Sequence, residues 1–498
     1  MSRTIDADVC IIGAGLAGLF AVLTLPDDLS VVVLDKGYHG LGSSPMAQGG
    51  LAAAMGREDT PELHMRDTIA AGAGLVDWRA ALVVCAEAPD RVRDLIAYGC
   101  QFDQHQDGSL HLALEGGQSV PRSVHQADAT GAEIVRALRA AAEGRFQRLE
   151  ASATRVTSES GRCNGVWALT TDGESVLIRT RATMLASGGA GALFESTTNA
   201  PASTGDALAL SRGAGARLMD LEFVQFHPTA LKVPGSPRPL LTEALRGAGA
   251  RLVDRSGRRF MVGRHPDAEL APRHVVTAGI LAAGEAFLDA TGVGKGRLEE
   301  EFPNVIAACR EHGFDMENEP VPVVPAAHFV VGGVATSLDA RTSLHGLYAA
   351  GECAATGMHG ANRMAGNSLA ESVVFSRRAA NAIMEDLAAE GGPDPEWGSP
   401  PDPPVAVSED LRDRIVTAVT LGAGPIRNGE DSRAALLRLK AMRAELGGDI
   451  PAVQAGAMLA GGELLVRGAL AREETRGVHV RSDFPQTREI YEGLRILA

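Results

Sequence analysis

Cysteine, lysine and aromatic side chains are scarce in this sequence, and a long apolar run is missing altogether. The six cysteines (Cys10, Cys85, Cys100, Cys163, Cys309, Cys353) stand apart, with no CxxC pair and no ligand-like cluster. That argues against zinc and iron–sulfur sites, so no metal is expected, and the thiols suit a reducing compartment. No apolar stretch reaches the roughly 18 to 20 residues of a membrane span, and the N-terminus lacks the basic-then-apolar pattern of a signal peptide. A cytoplasmic protein without a membrane partner is expected. Only 4 of the 47 basic residues are lysine (Lys36, Lys232, Lys295, Lys440), so arginine is a habit of this chain and a single arginine carries little weight. The net charge of −15 opposes binding to nucleic acid or anionic lipid.

What is present is glycine, 58 residues of it, in a 498-residue chain that is 45% hydrophobic. That length exceeds what one core usually fills, and two or three packed domains follow. From Asp8 to Leu34 a buried strand, a glycine turn, a helix and a second apolar strand form a βαβ unit. Residues 221–330 are rich in turns, arginine and histidine and read as an insertion. A second strand–glycine turn ends at Gly351-Glu352, and a helix from Asn367 to Glu390 resumes the first fold. Six prolines in 391–404 make that segment a linker. Beyond it, Ser408 precedes Leu411, Ile415 and Val419 at helical spacing, a second helix runs to a stop at Gly447, and a third spans Val453 to Arg472. The expected domains are 1–220 with 331–390, the insertion 221–330, and a helical domain 405–498.

Gly13, Gly15 and Gly18 follow a strand and open a helix. This spacing permits a tight turn, lets the backbone approach a pyrophosphate and packs helix on strand, while the free helix N–H groups attract the phosphates. Asp35, at the end of the second strand, suits a ribose hydroxyl. Lys36 is placed either near the phosphates or in solvent. A second flexible loop, Gly42 to Gly50, suits a longer dinucleotide.

Eight motifs in order extend this reading: Met46-Ala-Gln-Gly-Gly50, Glu115-Gly-Gly, His125-Gln-Ala-Asp-Ala-Thr-Gly131, Gln225-Phe-His-Pro-Thr-Ala230, Leu241-Thr-Glu-Ala-Leu-Arg-Gly247, Glu269-Leu-Ala-Pro-Arg273, Pro325-Ala-Ala-His328 and His359-Gly-Ala-Asn-Arg-Met-Ala-Gly-Asn-Ser-Leu369. With these the chain resembles the succinate dehydrogenase and fumarate reductase flavoprotein family, in particular its branch that oxidises L-aspartate. The resemblance implies an α/β fold: a doubly wound FAD-binding domain in two segments, an inserted α+β capping domain and a C-terminal helical bundle. It also implies FAD held by Ala14, Leu16, Ala17, Lys36, Ser43, Ser44, Pro45, Met46, Ala47, Gln48, Gly49, Gly50, Asp206, Glu352, Ser368 and Leu369. Membrane-bound relatives attach the flavin through a histidine where Ser43 stands, so non-covalent FAD is expected. The helix from Asn367 would aim its positive end at the flavin ring.

For the reaction, the resemblance assigns His227, Thr242, Glu243, His328 and Arg363 to a dicarboxylate clamp, and Arg273 to proton transfer. Charged donors at both ends suit such a substrate. Glu115 is expected to meet the ammonium of L-aspartate, which would be oxidised to iminoaspartate with dioxygen or fumarate as acceptor. This would open the route to quinolinate and NAD, with quinolinate synthase downstream. A soluble fumarate reductase and the flavoprotein subunit of a succinate dehydrogenase complex are the alternatives. Three positions depart from the family pattern: Gln118 for histidine, Ala248 for an acid and His274 for aspartate.

Overall fold

The computed structural model describes residues 3–36, 42–389, 408–446 and 455–498. The linker expected at 391–404 and the stop at Gly447 lie outside the described residues.

The strand Val9–Ile12 is buried at all positions. It pairs in parallel with Val31–Asp35 on one side and Ala182–Leu185 on the other. A strand so enclosed needs an unbroken apolar run, which Val-Cys-Ile-Ile supplies. The chain then turns through Gly13 at φ +117° and enters the helix Leu16–Thr24. The turn admits only glycine at two places: a Cβ on Gly13 would lie 2.2 Å from the Ala186 carbonyl oxygen, and one on Gly18 would lie 2.0 Å from that of Gly13.

The main sheet has eight strands in the order Arg3–Asp6, Ser175–Arg179, Arg162–Thr170, Gln147–Glu159, Val31–Asp35, Val9–Ile12, Ala182–Leu185 and Leu347–Ala349. The thirteen-residue strand Gln147–Glu159 joins two architectures. Its first residues pair in parallel with Val31–Asp35, and the rest pair antiparallel with Arg162–Thr170. The long helix Asn367–Ala389 packs on Leu16–Thr24, so the late segment completes the early domain.

Between these segments a four-stranded antiparallel sheet, ordered Val224–Leu231, Val321–Val330, Ala286–Asp289, Arg251–Asp254, has a hydrophobic cluster of its own. The inserted unit is tied down by Asp128. Its carboxylate accepts the backbone N–H groups of Asn304 (3.0 Å) and Val305 (3.1 Å), at the start of the helix Pro303–Glu311, and the Asn304 side-chain amide (2.6 Å). An acid there satisfies N–H groups that the helix itself cannot.

Three C-terminal helices, Glu409–Ala423, Gly429–Glu445 and Ala455–Ala471, pack together. Ser408 and Asn428 cap the first two. The last α-helix ends at Ala471, and only a 3₁₀ turn, Glu489–Tyr491, follows it. The tail that follows is held by buried ion pairs instead: Arg472 bonds Glu222 (2.6 Å) and Glu474 (3.0 Å), all three inaccessible to solvent. Its backbone runs back to pair with Leu218 and Asp220.

Candidate active site

One cavity of about 650 Å³ opens between the main sheet and the inserted unit. Gly13, Ala14, Gly15, Leu16 and Ala17 line it at one end with Asp35 and Lys36, and Ser43, Ser44, Pro45, Met46, Ala47 and Gln48 form a side. Asp206, Glu352, Ser368 and Leu369 complete the wall, which reaches His328 and Arg363. Gly18, Gly49 and Gly50 are off the cavity wall. Gly18 packs on the turn, whereas Gly49 and Gly50 lie against the Glu115 carboxylate, which accepts the Gly50 N–H at 2.7 Å.

The structure settles where Lys36 belongs. Its ammonium pairs with Asp206 and donates to Thr204 Oγ1 at 2.9 Å, so it is part of the wall. Asp35 is bonded by Arg148 (2.7 and 3.0 Å). Ser43 Oγ lies 3.0 Å from Ser203 Oγ and accepts the Ala200 N–H. Glu352 accepts the Val330 N–H at 3.0 Å, and burial pushes its pKa up to about 7.

Beyond His328 and Arg363 lies a charged cluster. His227 sits beside His328, ring centroids 5.3 Å apart. Burial, reinforced by the neighbouring arginines, holds both imidazoles well below their ordinary pKa, hence neutral. The Thr229 N–H donates to His227 Nδ1 (3.3 Å), which places the ring proton on Nε2 as a donor. Thr242 caps the short helix Glu243–Gly247. Arg273 donates to Glu243 (2.8 Å) and to Gln225 (2.9 Å), and Arg363 donates to the same Gln225 oxygen (3.2 Å) and to Ser368 (3.1 Å). The Arg363 guanidinium also lies over the Phe329 ring, 5.0 Å from its centroid. Burial alone would raise the Glu243 pKa, but the guanidiniums of Arg273 and Arg246 hold it at about 2.

Glu115 approaches this cluster from its own loop: a Cβ on the adjoining Gly116 would lie 2.4 Å from a Glu243 oxygen. Burial raises the Glu115 pKa, opposed by the Gly50 N–H and by the charges of Arg273 and Arg363.

The family model of the FAD binding domain matches residues 8–369, and that of the fumarate reductase flavoprotein C-terminus matches 449–491. An L-aspartate oxidase of Streptomyces coelicolor is 43% identical, the match covering 96% of this chain and 89% of that protein. One of Caulobacter vibrioides is 44% identical, covering 96% and 93%. The chain belongs to the L-aspartate oxidase family. Among solved structures, an E. coli quinol fumarate reductase superposes with a TM-score of 0.90 at 28% identity, covering 100% of this chain and 94% of that one. Mycobacterium smegmatis Sdh1 gives 0.86 at 30% identity, covering 99% and 92%.

As expected of an L-aspartate oxidase family member, the cavity fits FAD. Gln48, Ser187 and Asn199 line it, and each leaves a buried polar atom without a protein partner, as a polar cofactor requires. The helix Asn367–Ala389 begins at the wall with Ser368 and Leu369, so its N-terminal end, which favours negative charge, borders the cavity.

The departures from the family pattern also find their places. The Gln118 amide donates to Ser123 (2.8 Å) and the Ala365 carbonyl (3.4 Å) and accepts the Glu115 N–H (3.1 Å), so it braces the Glu115 loop from behind. Ala248 packs on the core of the inserted unit. Beside His274, Arg273 finds its carboxylate partner in Glu243. Sequence reasoning passed over Gln225, Arg246 and Asp128 as functional side chains. All three stand inside motifs already noticed, where only their contacts distinguish them.

Proposed function

We propose that this chain oxidises L-aspartate to iminoaspartate with non-covalently bound FAD. The observation that carries the reading is Glu115, a carboxylate lodged beside the Arg273 and Arg363 guanidiniums that a dicarboxylate needs. A substrate with two carboxylates and nothing else gains no partner from Glu115; one that also carries an ammonium does.

In this reading Arg363 clamps one substrate carboxylate, and His227 and His328, neutral, donate to the carboxylates with Thr242. Glu115 takes the ammonium and so turns Cα–H toward the cofactor. Glu243, ionised, holds the Arg273 guanidinium in place, and Arg273, in the role the resemblance implies, relays toward solvent the proton that the ammonium gives up as the hydride leaves Cα. FAD, held by the turn at Gly13 to Ala17 and by the wall of Ser43 to Gln48, Ser368 and Leu369, would supply the hydride acceptor for Cα–H, with dioxygen or fumarate as the final acceptor of the electron pair. Ser43, a hydroxyl engaged with Ser203 and Ala200, offers no imidazole for a covalent flavin link. The six buried free thiols support a reducing, cytoplasmic setting. Iminoaspartate, a reactive imine, would pass to quinolinate synthase.

Anaerobic addition of L-aspartate to the purified flavoprotein should bleach the flavin absorbance, and equal succinate should do so far more slowly. No bleaching by aspartate would overturn the reading.

A further inference from the structure

We infer that Gln225 is a positioning residue of the dicarboxylate site, a side chain that bonds both Arg273 and Arg363 and aims them at a common anion.

The side-chain amide of Gln225 is fully buried, and all its bonding capacity is engaged. Its oxygen accepts from Arg273 Nη1 at 2.9 Å and Arg363 Nε at 3.2 Å. Its nitrogen donates to the Arg363 carbonyl at 2.8 Å and to Asn362 Oδ1 at 3.0 Å. Those two acceptors fix the orientation: rotated by half a turn, the amide would set N–H groups against two guanidiniums and an oxygen against a carbonyl. Two like charges that repel one another are thus held on one neutral acceptor. Arg273 comes from the inserted unit and Arg363 from the return to the FAD domain, so the same amide registers the two units at the point where substrate bridges them.

Neutrality is part of the role. Arg246, Arg273 and Arg363 face Glu115 and Glu243 here, with Glu352 near Arg363 and Glu269 near Arg246, and both histidines are uncharged. Zwitterionic aspartate carries one net negative charge. A carboxylate in place of the amide would still accept from both arginines but would add a negative charge where the substrate's own carboxylates must bind.

Two variants separate orientation from charge. Gln225→Glu keeps the bonds to both arginines and adds a charge, but it also gives up the two N–H donors and sets an oxygen against the Arg363 carbonyl and Asn362 Oδ1. Succinate binding to the oxidised holoenzyme, read by perturbation of the flavin spectrum, should weaken by about tenfold, the scale of one charged hydrogen bond. KM for aspartate should rise more than kcat falls. The alkaline limb of the pH profile should move up, because a carboxylate stabilises the protonated Arg363 guanidinium, whose pKa burial lowers to about 9. Gln225→Leu removes the shared acceptor: kcat should fall more than KM rises, and the alkaline limb should move down as the arginines repel unopposed. Around Arg363 the other charged groups are Arg273, Glu115, Glu352 and Glu243, and both variants leave them unchanged.

Opposite shifts of the alkaline limb support the inference. Equal shifts, no shift, or losses that merely track flavin content overturn it. Should Gln225→Leu fail to fold, the near-isosteric glutamate still decides through succinate binding. The inference rests on the aspartate reading only for its turnover arm; succinate titration works without turnover, so wild-type enzyme that binds succinate yet ignores aspartate would break that reading alone.

Discussion

The cofactor-facing wall of the cavity is made largely of turns and strand ends between residues 12 and 50, whereas the substrate-facing wall is made of arginine, histidine and glutamate side chains drawn from residues 115 to 363. On the first wall the limiting quantity is space. Gly13 and Gly18 leave no room for a methyl group, and backbone N–H groups are what such a turn offers a phosphate. On the second wall it is charge. Arg273, Glu243, Gln225 and Arg363 hold one another through hydrogen bonds between 2.8 and 3.2 Å. A nucleotide presents the same phosphates in every enzyme that uses it, so a local backbone turn suffices. A small dicarboxylate offers few atoms, so specificity needs side chains with charge, fixed from several directions.

The sharpest test of this difference is Gly18→Ala. One methyl group 2.0 Å from the Gly13 carbonyl should displace the turn, and the purified variant should show almost no flavin absorbance per mole of chain. Should it retain full flavin, the first wall is not limited by space. Next in size is Arg363→Leu, which leaves the flavin bound but removes the clamp; kcat/KM for aspartate should fall by about 10³, the scale for truncating one partner of a buried charged network. Flavin content at the wild-type level with that loss separates the two walls cleanly.

Glu115→Gln should act more selectively. It keeps the shape and removes the charge facing the ammonium, so kcat/KM for aspartate should drop by about ten- to a hundredfold while fumarate reduction stays close to wild type. Equal losses for both substrates would remove Glu115 from amine recognition.

The remaining effect concerns stability and leaves both walls untouched. His64 is buried and bonded through Nε2 to Asn367, the first residue of the long helix, at 2.7 Å. Burial lowers its pKa to about 4. The folded state therefore keeps it neutral, while the unfolded chain takes up a proton near pH 6.5. Its contribution is fully present above that pH and is lost as pH falls toward 4. His64→Gln should flatten this acid limb in thermal unfolding, by up to about 3 kcal/mol at pH 4. An unchanged limb would show that His64 does not titrate.

Legibility followed the range of each interaction. The turn at Gly13 to Gly18 could be read directly, since strand, glycines and helix are neighbours in the chain. Ser408 as a cap and the buried face of Leu411, Ile415 and Val419 were legible for the same reason. Lys36 was ambiguous because its partner Asp206 lies 170 positions away, and Asp128 because the helix it caps begins at Pro303. Gln118 stood out only as a departure from the family pattern, and its amide faces Ser123 and Ala365.

By itself, then, the sequence determined the nucleotide turn, the alternation of strand and helix around it, and the residue types of a charged clamp, because these depend on local backbone geometry and on chemistry carried by each side chain. Only the tertiary structure decided that two arginines 90 residues apart share one amide oxygen, that Glu115 faces them, and that Gln118 does not. Those outcomes depend on how two separately cored units close on each other, and distance along the chain holds no record of that.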